Sequence, residues 1–335
     1  MAVIDSEIEG PVSGVPVLNA AGDVVTMTVN GVPVRVPATV LDPDTGLPVP
    51  MPIHTPTGRI SLAQLANATP FPGRKRRTPT GALEDIPGFD AATAIVEGGF
   101  EIDPMQPFPN ILVATTMEIE PAENLLLGAV TSIAPLRING VEVREIVDPV
   151  GRMAFGGYKN EFGFKVTLIP QLVGTAAAAE GYFAGNFFFA HTVEVDALAP
   201  LVAGQPPVSI TRARTRRRPG GPATVDIRGG VNFAAIPGIS TFTVGINRFD
   251  RDLVPVPPVD SNDILIGIVR ATRDGAFPNF GLWRLSGPLS QPSEGVAASQ
   301  PFPPTAPRYI RVYPSLPGVV PGPGNTATEE ADVRF

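Results

Sequence analysis

Two short stretches of nearly the same sequence decide how this chain is interpreted: VNGVPVR (29–35) and INGVEVR (138–144). In each, Asn-Gly stands between alternating apolar residues. This is the strongest short-range signal for a β-hairpin, because a type I′ turn needs a positive φ angle at both central residues. The sequence therefore predicts tight hairpin turns at Asn30 and at Asn139.

The residues that flank the two hairpins match in the same order. A small G-x-V element precedes each turn, in IEGPVSG (8–14) and LLGAVTS (126–132). The downstream matches are Glu97-Gly98 with Glu180-Gly181, Phe100 with Phe183, Ala114 with Ala190, and Glu118-Ile119 with Glu194-Val195. The repeated order predicts that residues 7–120 and 121–197 are a duplicated β unit.

The composition of the 335 residues also favours short strands and turns. The chain holds 40 prolines and 35 glycines, and only 17% of its residues are charged, against roughly 25% in an average soluble domain. Its net charge of −7 provides no overall field that would attract nucleic acid. It contains no cysteine, which excludes disulfides, thiol nucleophiles and the usual structural zinc sites.

Each predicted unit has about five short strands and one helical turn, which in the first unit lies in GRISLAQLANA (58–68). Such a set of strands suits a small closed barrel of the OB type. The G-x-V start, the NG-V-x-V hairpin, the S-L-A-x-L turn, the V-E-G strand and the closing A-x-x-M-E-I-E strand resemble a family of tandem small-barrel repeats of exported bacterial proteins. That family has no established activity. The resemblance covers residues 7–197, implies an OB-like fold and an exported setting, and carries no site residues.

The strand pattern changes after residue 200, where short alternating strands are separated by Gly, Pro and Asp, as in a β-sandwich. The stretch GIVRATRDGAFPNFGLWRL (267–285) is similar to the late strands of bacterial immunoglobulin-like domains, and its single tryptophan, Trp283, is predicted to be buried or half-buried. The predicted fold is all-β, with two tandem OB-like β-barrels followed by an immunoglobulin-like β-sandwich. The predicted domains are 1–120, with a basic insertion at 66–90, then 121–200, 201–314, and a Pro/Gly-rich tail over 315–335 that ends in a strand-like segment.

Motifs for catalysis are not found in the sequence. Neither His54 nor His191 stands in a nucleophile context, and no P-loop, GxGxxG or HExxH occurs. DPDTG (42–46) is interpreted as a turn, because Leu-Pro-Val-Pro follows it where a calcium loop needs further ligands. The sequence thus predicts no enzyme and assigns no catalytic, cofactor-binding or metal residue. Calcium at Asp250/Asp252 and Asp260/Asp263 is left open as an alternative.

Two basic clusters are the candidate binding sites, GRKRR (73–77) and RARTRRR (212–218). The candidate residues are Arg74, Lys75, Arg76, Arg77, Arg212, Arg214, Arg216, Arg217 and Arg218. They are interpreted either as solvated or internally paired residues or as the site of an anionic partner. Aromatic residues do not alternate with arginine on either repeat, so single-stranded nucleic acid is not favoured.

The functional prediction is a non-enzymatic structural protein of the bacterial exterior, forming a homo-oligomer or homopolymer as a filament, matrix or surface layer. β-Augmentation by the terminal ADVRF segment and inter-domain contacts would link the subunits. The alternatives are a binding module for glycan, polyanion or single-stranded nucleic acid, and a phage virion or tail-associated β protein. MAVIDSEIEG is no signal peptide and no run of 18 apolar residues occurs, so no membrane span is predicted. The predicted location is extracellular or at the cell surface.

Overall fold

The chain folds into two compact bodies that consist almost entirely of β-structure. The computed structural model describes residues 3–41, 48–101, 111–216, 223–236, 238–239, 241–252, 259–289, 309–316, 321–322 and 324–334. The first body comprises Met1–Tyr158 and Ile169–Val195, and the second comprises Lys159–Leu168 and Asp196–Phe335. Strands dominate both, which confirms the all-β prediction.

The first barrel opens the first body. Its elements are β1 (Val3–Pro11), β2 (Val17–Leu18), β3 (Val24–Val29), β4 (Val32–Pro37), β5 (Thr39–Leu41), β6 (Pro48–Pro50), β7 (Ile53–Thr55), β8 (Gly58–Arg59), α1 (Leu62–Leu65), β9 (Lys75–Arg77), β10 (Leu83–Asp85), β11 (Thr93–Glu101) and β12 (Ile111–Glu120). The main strands follow the order β1-β11-β12-β4-β3, with β4 parallel to β12. A bridge between Val12 and Val29 joins the two ends of this order, giving the connectivity of an OB-type barrel.

The second barrel completes the first body with the same connectivity. Its elements are β13 (Asn124–Ile133), β14 (Leu136–Ile138), β15 (Val141–Glu145), β16 (Tyr158–Asn160), a 3₁₀ helix (Pro170–Leu172), β17 (Ala176–Ala184) and β18 (Phe187–Val195). The last two residues of β16 belong to the second body. The order β15-β14-β13-β17-β18 closes through a parallel pairing of β15 with β18. The helix between the third and fourth main strands, four residues long in the first barrel, is a single 3₁₀ turn here.

The two Asn-Gly turns have the same backbone geometry. The φ angle is 49° at both Asn30 and Asn139, and 79° and 80° at the glycines that follow, as a type I′ turn requires. The Asn30 N–H donates to the Pro11 carbonyl and the Asn139 N–H to the Ala129 carbonyl, both at 2.9 Å. Each turn is thus held by the G-x-V element that precedes it.

The glycine of each Glu-Gly pair lies at an equivalent β-bulge. The register shifts between Glu97 and Gly98 in the first barrel, and between Glu180 and Gly181 in the second. A Cβ atom on Gly98 would lie 2.1 Å from the Val113 carbonyl oxygen, and one on Gly181 would lie 1.9 Å from the corresponding carbonyl oxygen of β18. Gly98 and Gly181 therefore occupy equivalent positions at which the neighbouring backbone leaves no room for a side chain.

The second body is one curved sheet. Its elements are β19 (Arg212–Arg216), β20 (Thr224–Asn232), a 3₁₀ helix (Phe233–Ala235), β21 (Phe242–Asp252), β22 (Val259–Arg273), β23 (Phe280–Pro288), β24 (Tyr309–Pro314), β25 (Ala327–Glu330) and β26 (Asp332–Arg334). The strand order is β25-β24-β21-β22-β23-β20-β19-β26. The consecutive strands β25 and β26 stand at opposite ends of this order, so the carboxy-terminal segment makes the sheet nearly a closed barrel.

The core of the second body contains Trp283, which is 3% exposed and whose indole N–H donates to the Gly230 carbonyl at 3.1 Å. The burial predicted for this tryptophan is confirmed. Residues 159–168 add a smaller apolar cluster, in which the rings of Phe162 and Phe280 stack with centroids 4.9 Å apart. The resemblance to immunoglobulin-like domains stays a prediction.

Candidate interaction sites

The first basic cluster is the base and one strand of a short hairpin inside the insertion. Strand β9 pairs with β10, and all six residues of the two strands are exposed. The Lys75 ammonium lies 3.1 Å from the Asp85 carboxylate, and Arg76 contacts Glu84 at 2.7 Å and Asp90 at 2.6 Å. Since these cations already have acidic partners, the cluster is not a free cationic surface.

Two members of that cluster use backbone carbonyl groups. Arg77 donates to the Gly81 carbonyl at 3.1 Å across the tip of the hairpin. Arg74 is only 6% exposed and donates to the Gly88 carbonyl at 3.1 Å. Burial lowers the pKa of Arg74 to about 10, so it remains charged at neutral pH. The predicted binding role needs an accessible Arg74, and the structure places this residue inside the protein instead.

A second buried arginine, Arg152, fixes the insertion to the connection that follows β15. Its guanidinium binds both carboxylate oxygens of Asp148, at 2.7 and 3.0 Å, and neither side chain has any exposed surface. It also donates to the carbonyls of Asn67 and Thr69, at 3.0 and 2.8 Å, and lies 3.8 Å from the centre of the Phe71 ring. A bidentate, charge-assisted pair with further acceptors is the arrangement in which a buried ion pair is tolerated.

The same insertion lies against the strands β17 and β18 of the second barrel. The Tyr182 hydroxyl donates to the Pro72 carbonyl at 2.9 Å, and burial raises the pKa of Tyr182 above its usual value. A Cβ atom on Gly73 would lie 3.0 Å from both Ala184 and the Phe189 ring. The Tyr182 and Phe189 rings stack in turn, with centroids 5.6 Å apart.

We call the contact built by Gly73, Arg74, Asp148, Arg152 and Tyr182 the junction. Apolar residues of the second barrel and its connection, namely Ile146, Met153, Tyr182 and Ala184, belong to the core of the first barrel. Asp148 and Arg152 are not among the candidate residues that the sequence predicts. An Asp and an Arg four residues apart in a Pro/Gly turn carry no signal for burial, because the carbonyls that accept from Arg152 lie more than 80 residues earlier.

The second basic cluster begins on strand β19. The Arg212 guanidinium lies 3.6 Å from Asp226, which also accepts from Arg284 at 2.8 Å. Arg214 is half-buried and Arg216 is exposed at the end of the strand. Arg217 and Arg218 lie outside the described residues. The first basic cluster belongs to the first body and the second to the second body. Anion binding stays a prediction for both.

The acidic groups considered for calcium differ in what surrounds them. Asp260 and Asp263 both contact the guanidinium of Arg311, Asp260 at 2.6 Å. Asp250 and Asp252 lie on β21, and DPDTG (42–46) falls outside the described residues. Where the chain is described, no group of three His, Asp or Glu side chains is arranged to hold a metal ion.

The two histidines occupy strands β7 and β18, where His54 is half-buried and His191 is 3% exposed. The His191 Nε2 atom lies 3.9 Å from the Glu120 carboxylate. Burial lowers the pKa of His191 to about 4. Burial, followed by a hydrogen bond with Glu123 and by nearby carboxylates, raises the pKa of Glu120 to about 8.

An open groove of about 590 Å³ lies beside α1 on the first barrel, lined by residues 16–18, Ala63 and residues 66–69. Its lining is mostly small and apolar, with Asn67 and Thr69 as its polar members. The Asn67 carbonyl already accepts from Arg152.

The carboxy-terminal segment is the last candidate, and it pairs with two edge strands. Strand β25 pairs antiparallel with β24 over four residues, and β26 pairs parallel with β19 over three residues. Between them Ala331 is 1% exposed and belongs to the core of the second body. The terminal segment thus pairs with edge strands of its own chain, and its predicted pairing with a neighbouring subunit stays a prediction.

No family model, curated protein or solved structure matches this chain. Across the described ranges the structure contains no helix with the length and apolar character needed to cross a membrane.

Proposed function

We propose that this chain is a non-enzymatic structural protein of the bacterial exterior that assembles with copies of itself. The observation that carries the proposal is the pairing of residues 327–334 with the edge strands β24 and β19. An exposed edge strand offers unpaired N–H and C=O groups to any suitable strand. The strands β24 and β19 are thus edges that the tail of the same chain covers, and the tail is a segment able to pair with such edges.

The architecture of the first body supports a scaffold role. The residues that repeat between the barrels, among them Gly98 and Gly181, are used by turns and bulges. Most described cations of the basic clusters have acidic or carbonyl partners within the chain. Tandem rigid modules with internally paired charges suit a subunit that spans distance and transmits load. The resemblance to exported tandem-barrel proteins supports the exterior location.

The test is to delete residues 326–335 and compare the truncated and full chains by light scattering and negative-stain electron microscopy. The full chain is expected to form multimers larger than a monomer, and the truncated chain is expected to lose them or to form different ones. Trp283 fluorescence serves as the control for folding of the second body. Assembly that is unchanged by the deletion, or a strict monomer in both forms, contradicts the proposal.

A further inference from the structure

We infer that assembly proceeds by strand exchange, in which residues 327–334 of one copy occupy the gap between β24 and β19 of a second copy. This inference rests on the proposed function and specifies its contact. The occupant is a second copy of this chain, because the pairing that fills the gap is already present within one copy.

The connection between β24 and β25 is long enough to favour strand exchange. These strands are antiparallel neighbours, for which a loop of two to five residues is enough. The chain instead uses twelve residues, 315–326, among them three prolines and three glycines. At about 3.3 Å per residue such a connection can reach about 40 Å, far more than pairing within one copy requires.

Part of this connection contains two local hydrogen bonds. The Gly322 N–H donates to the Asn325 side-chain oxygen at 2.8 Å, and the Thr326 hydroxyl donates to the Gly322 carbonyl at 3.0 Å. Because these bonds are local, they can form whether the following strands pair with their own copy or with another.

The contacts that residues 327–334 make with the sheet also favour strand exchange. The only residue of 327–334 with a buried side chain, among those whose side chains are described, is Ala331, at 1% exposure. Ala327 also packs against the core of the second body, and the two backbone ladders span four and three residues. Among the side chains that the structure describes, release therefore exposes those of two alanines, together with the two short ladders, and an identical copy restores all of these contacts. Exchange of identical elements is a low-cost route to oligomers for this reason.

The gap between β24 and β19 also sets requirements for the strand that fills it. Because β25 and β26 are separated by Ala331 alone, a strand that enters must pair with β24 along one part and with β19 along the next. It must also carry a small residue between the two parts. Residues 327–334 meet both conditions, which predicts specific pairing with this chain over unrelated strands.

The absence of native cysteine allows a direct test. Val312 and Ala327 face each other across the β24–β25 ladder, Val312 is fully buried, and Ala327 packs against the same core. Directly opposed residues of antiparallel strands have Cβ atoms about 4.5–5.5 Å apart, close to the range that a disulfide spans. Full-length Val312→Cys and Ala327→Cys chains are mixed at high concentration, oxidised, and separated on a non-reducing gel.

A disulfide between the two variants in excess of random collision requires that the tail of one copy lie on the sheet of another. We expect a covalent pair containing one chain of each variant. The matched control is a mixture of Val244→Cys and Val269→Cys chains, which face each other across the β21–β22 ladder with similar burial. This ladder does not involve the tail, and its mixture is expected to give no such pair. Mass spectrometry identifies the linked peptides.

The gel and the light-scattering results together distinguish strand exchange from self-assembly in general. A mixed pair no more abundant than in the control, in a protein that still assembles by light scattering, overturns strand exchange and leaves self-assembly standing. The same gel result with a strict monomer overturns both. A mixed pair together with multimers supports both.

Discussion

The two barrels of the first body share their turns, bulges and strand order, and they differ in the connection between their third and fourth main strands. In the first barrel this connection, residues 38–92, contains α1 and the β9–β10 hairpin. In the second barrel, residues 146–175 supply Asp148 and Arg152 and include the stretch that belongs to the second body.

The difference shows where new contacts arise in a repeated fold. Gly98 and Gly181 are alike because at each position an added Cβ atom would clash with a backbone carbonyl of the neighbouring strand. The connections are free to diverge, and they provide most of the residues of the junction. The contact between the two copies is thus made mainly by what the copies do not share.

The largest expected effect is on the buried ion pair of the junction. Replacing Arg152 by Met leaves the buried carboxylate of Asp148 without its partner, so Arg152→Met is expected to lower the free energy of unfolding by about 3–5 kcal/mol. Guanidinium unfolding followed by circular dichroism measures it. The control is Arg137→Met, which removes a half-exposed pair with Glu142 and is expected to cost below about 1 kcal/mol. Equal costs would contradict the role given to Arg152.

The next effect tests whether the barrels are equivalent. Gly98→Ala and Gly181→Ala each force a methyl group against a backbone carbonyl, and each is expected to cost about 2–3 kcal/mol. Differential scanning calorimetry of the two variants makes the comparison. Gly275→Ala is the control, because a Cβ atom added at Gly275 would meet no atom within 4 Å outside its chain neighbours. This change should alter the free energy of unfolding by less than about 0.5 kcal/mol. A large cost in one barrel alone would show that the bulges are not equivalent.

A smaller effect isolates the approach of the insertion to the second barrel. Gly73 and Gly81 both have positive φ angles, of 68° and 88°. A Cβ atom added at Gly73 would contact other residues, whereas one added at Gly81 would meet no atom within 4 Å. Both alanine variants incur the left-handed backbone cost of about 1–2 kcal/mol. Gly73→Ala is expected to cost about 1 kcal/mol more, through its contacts with Ala184 and Phe189. It should also speed amide hydrogen exchange in β17 and β18, and no change there would count against the junction.

The smallest effect is a pH dependence at the contact between Glu120 and His191. The raised pKa of Glu120, about 8, means that the folded state holds this proton more tightly than the unfolded state. The resulting stability is complete below about pH 4.5 and is lost as the pH rises through 8. The lowered pKa of His191, about 4, has the opposite effect, and its contribution is complete above about pH 6.5.

Between pH 6.5 and 8 the free energy of unfolding should therefore change with pH because of Glu120 and not because of His191. The free energy of unfolding of the first body is expected to fall by about 1–2 kcal/mol over this range, since one pKa unit corresponds to 1.36 kcal/mol. Thermal unfolding by circular dichroism measures the change, with Trp283 fluorescence marking the second body separately. In Glu120→Gln the fall should be much smaller. A fall of the same size in this variant would assign it to other groups.

The hairpins, the repeat and the buried tryptophan could be predicted from the sequence because they depend on local chemistry. Asn30 and Asn139 adopt positive φ angles as their sequence motif predicts, and the downstream matches at Gly98 and Gly181 fall on equivalent bulges. A turn needs particular residues at fixed spacing, and a bulge glycine is required by its own backbone. Such signals are present in the sequence whatever the rest of the chain does.

Only the tertiary structure determines which charged side chains are buried and which edge strands the tail covers. Arg74 and Lys75 are adjacent in one basic run, yet one is buried and the other lies on an exposed strand. Whether a guanidinium can be buried depends on acceptors that distant segments bring to it, as Asn67 and Thr69 do for Arg152. In the same way, the alternating pattern of residues 327–334 predicts a strand, but only the folded sheet shows which edges it covers, because every edge strand presents the same backbone groups.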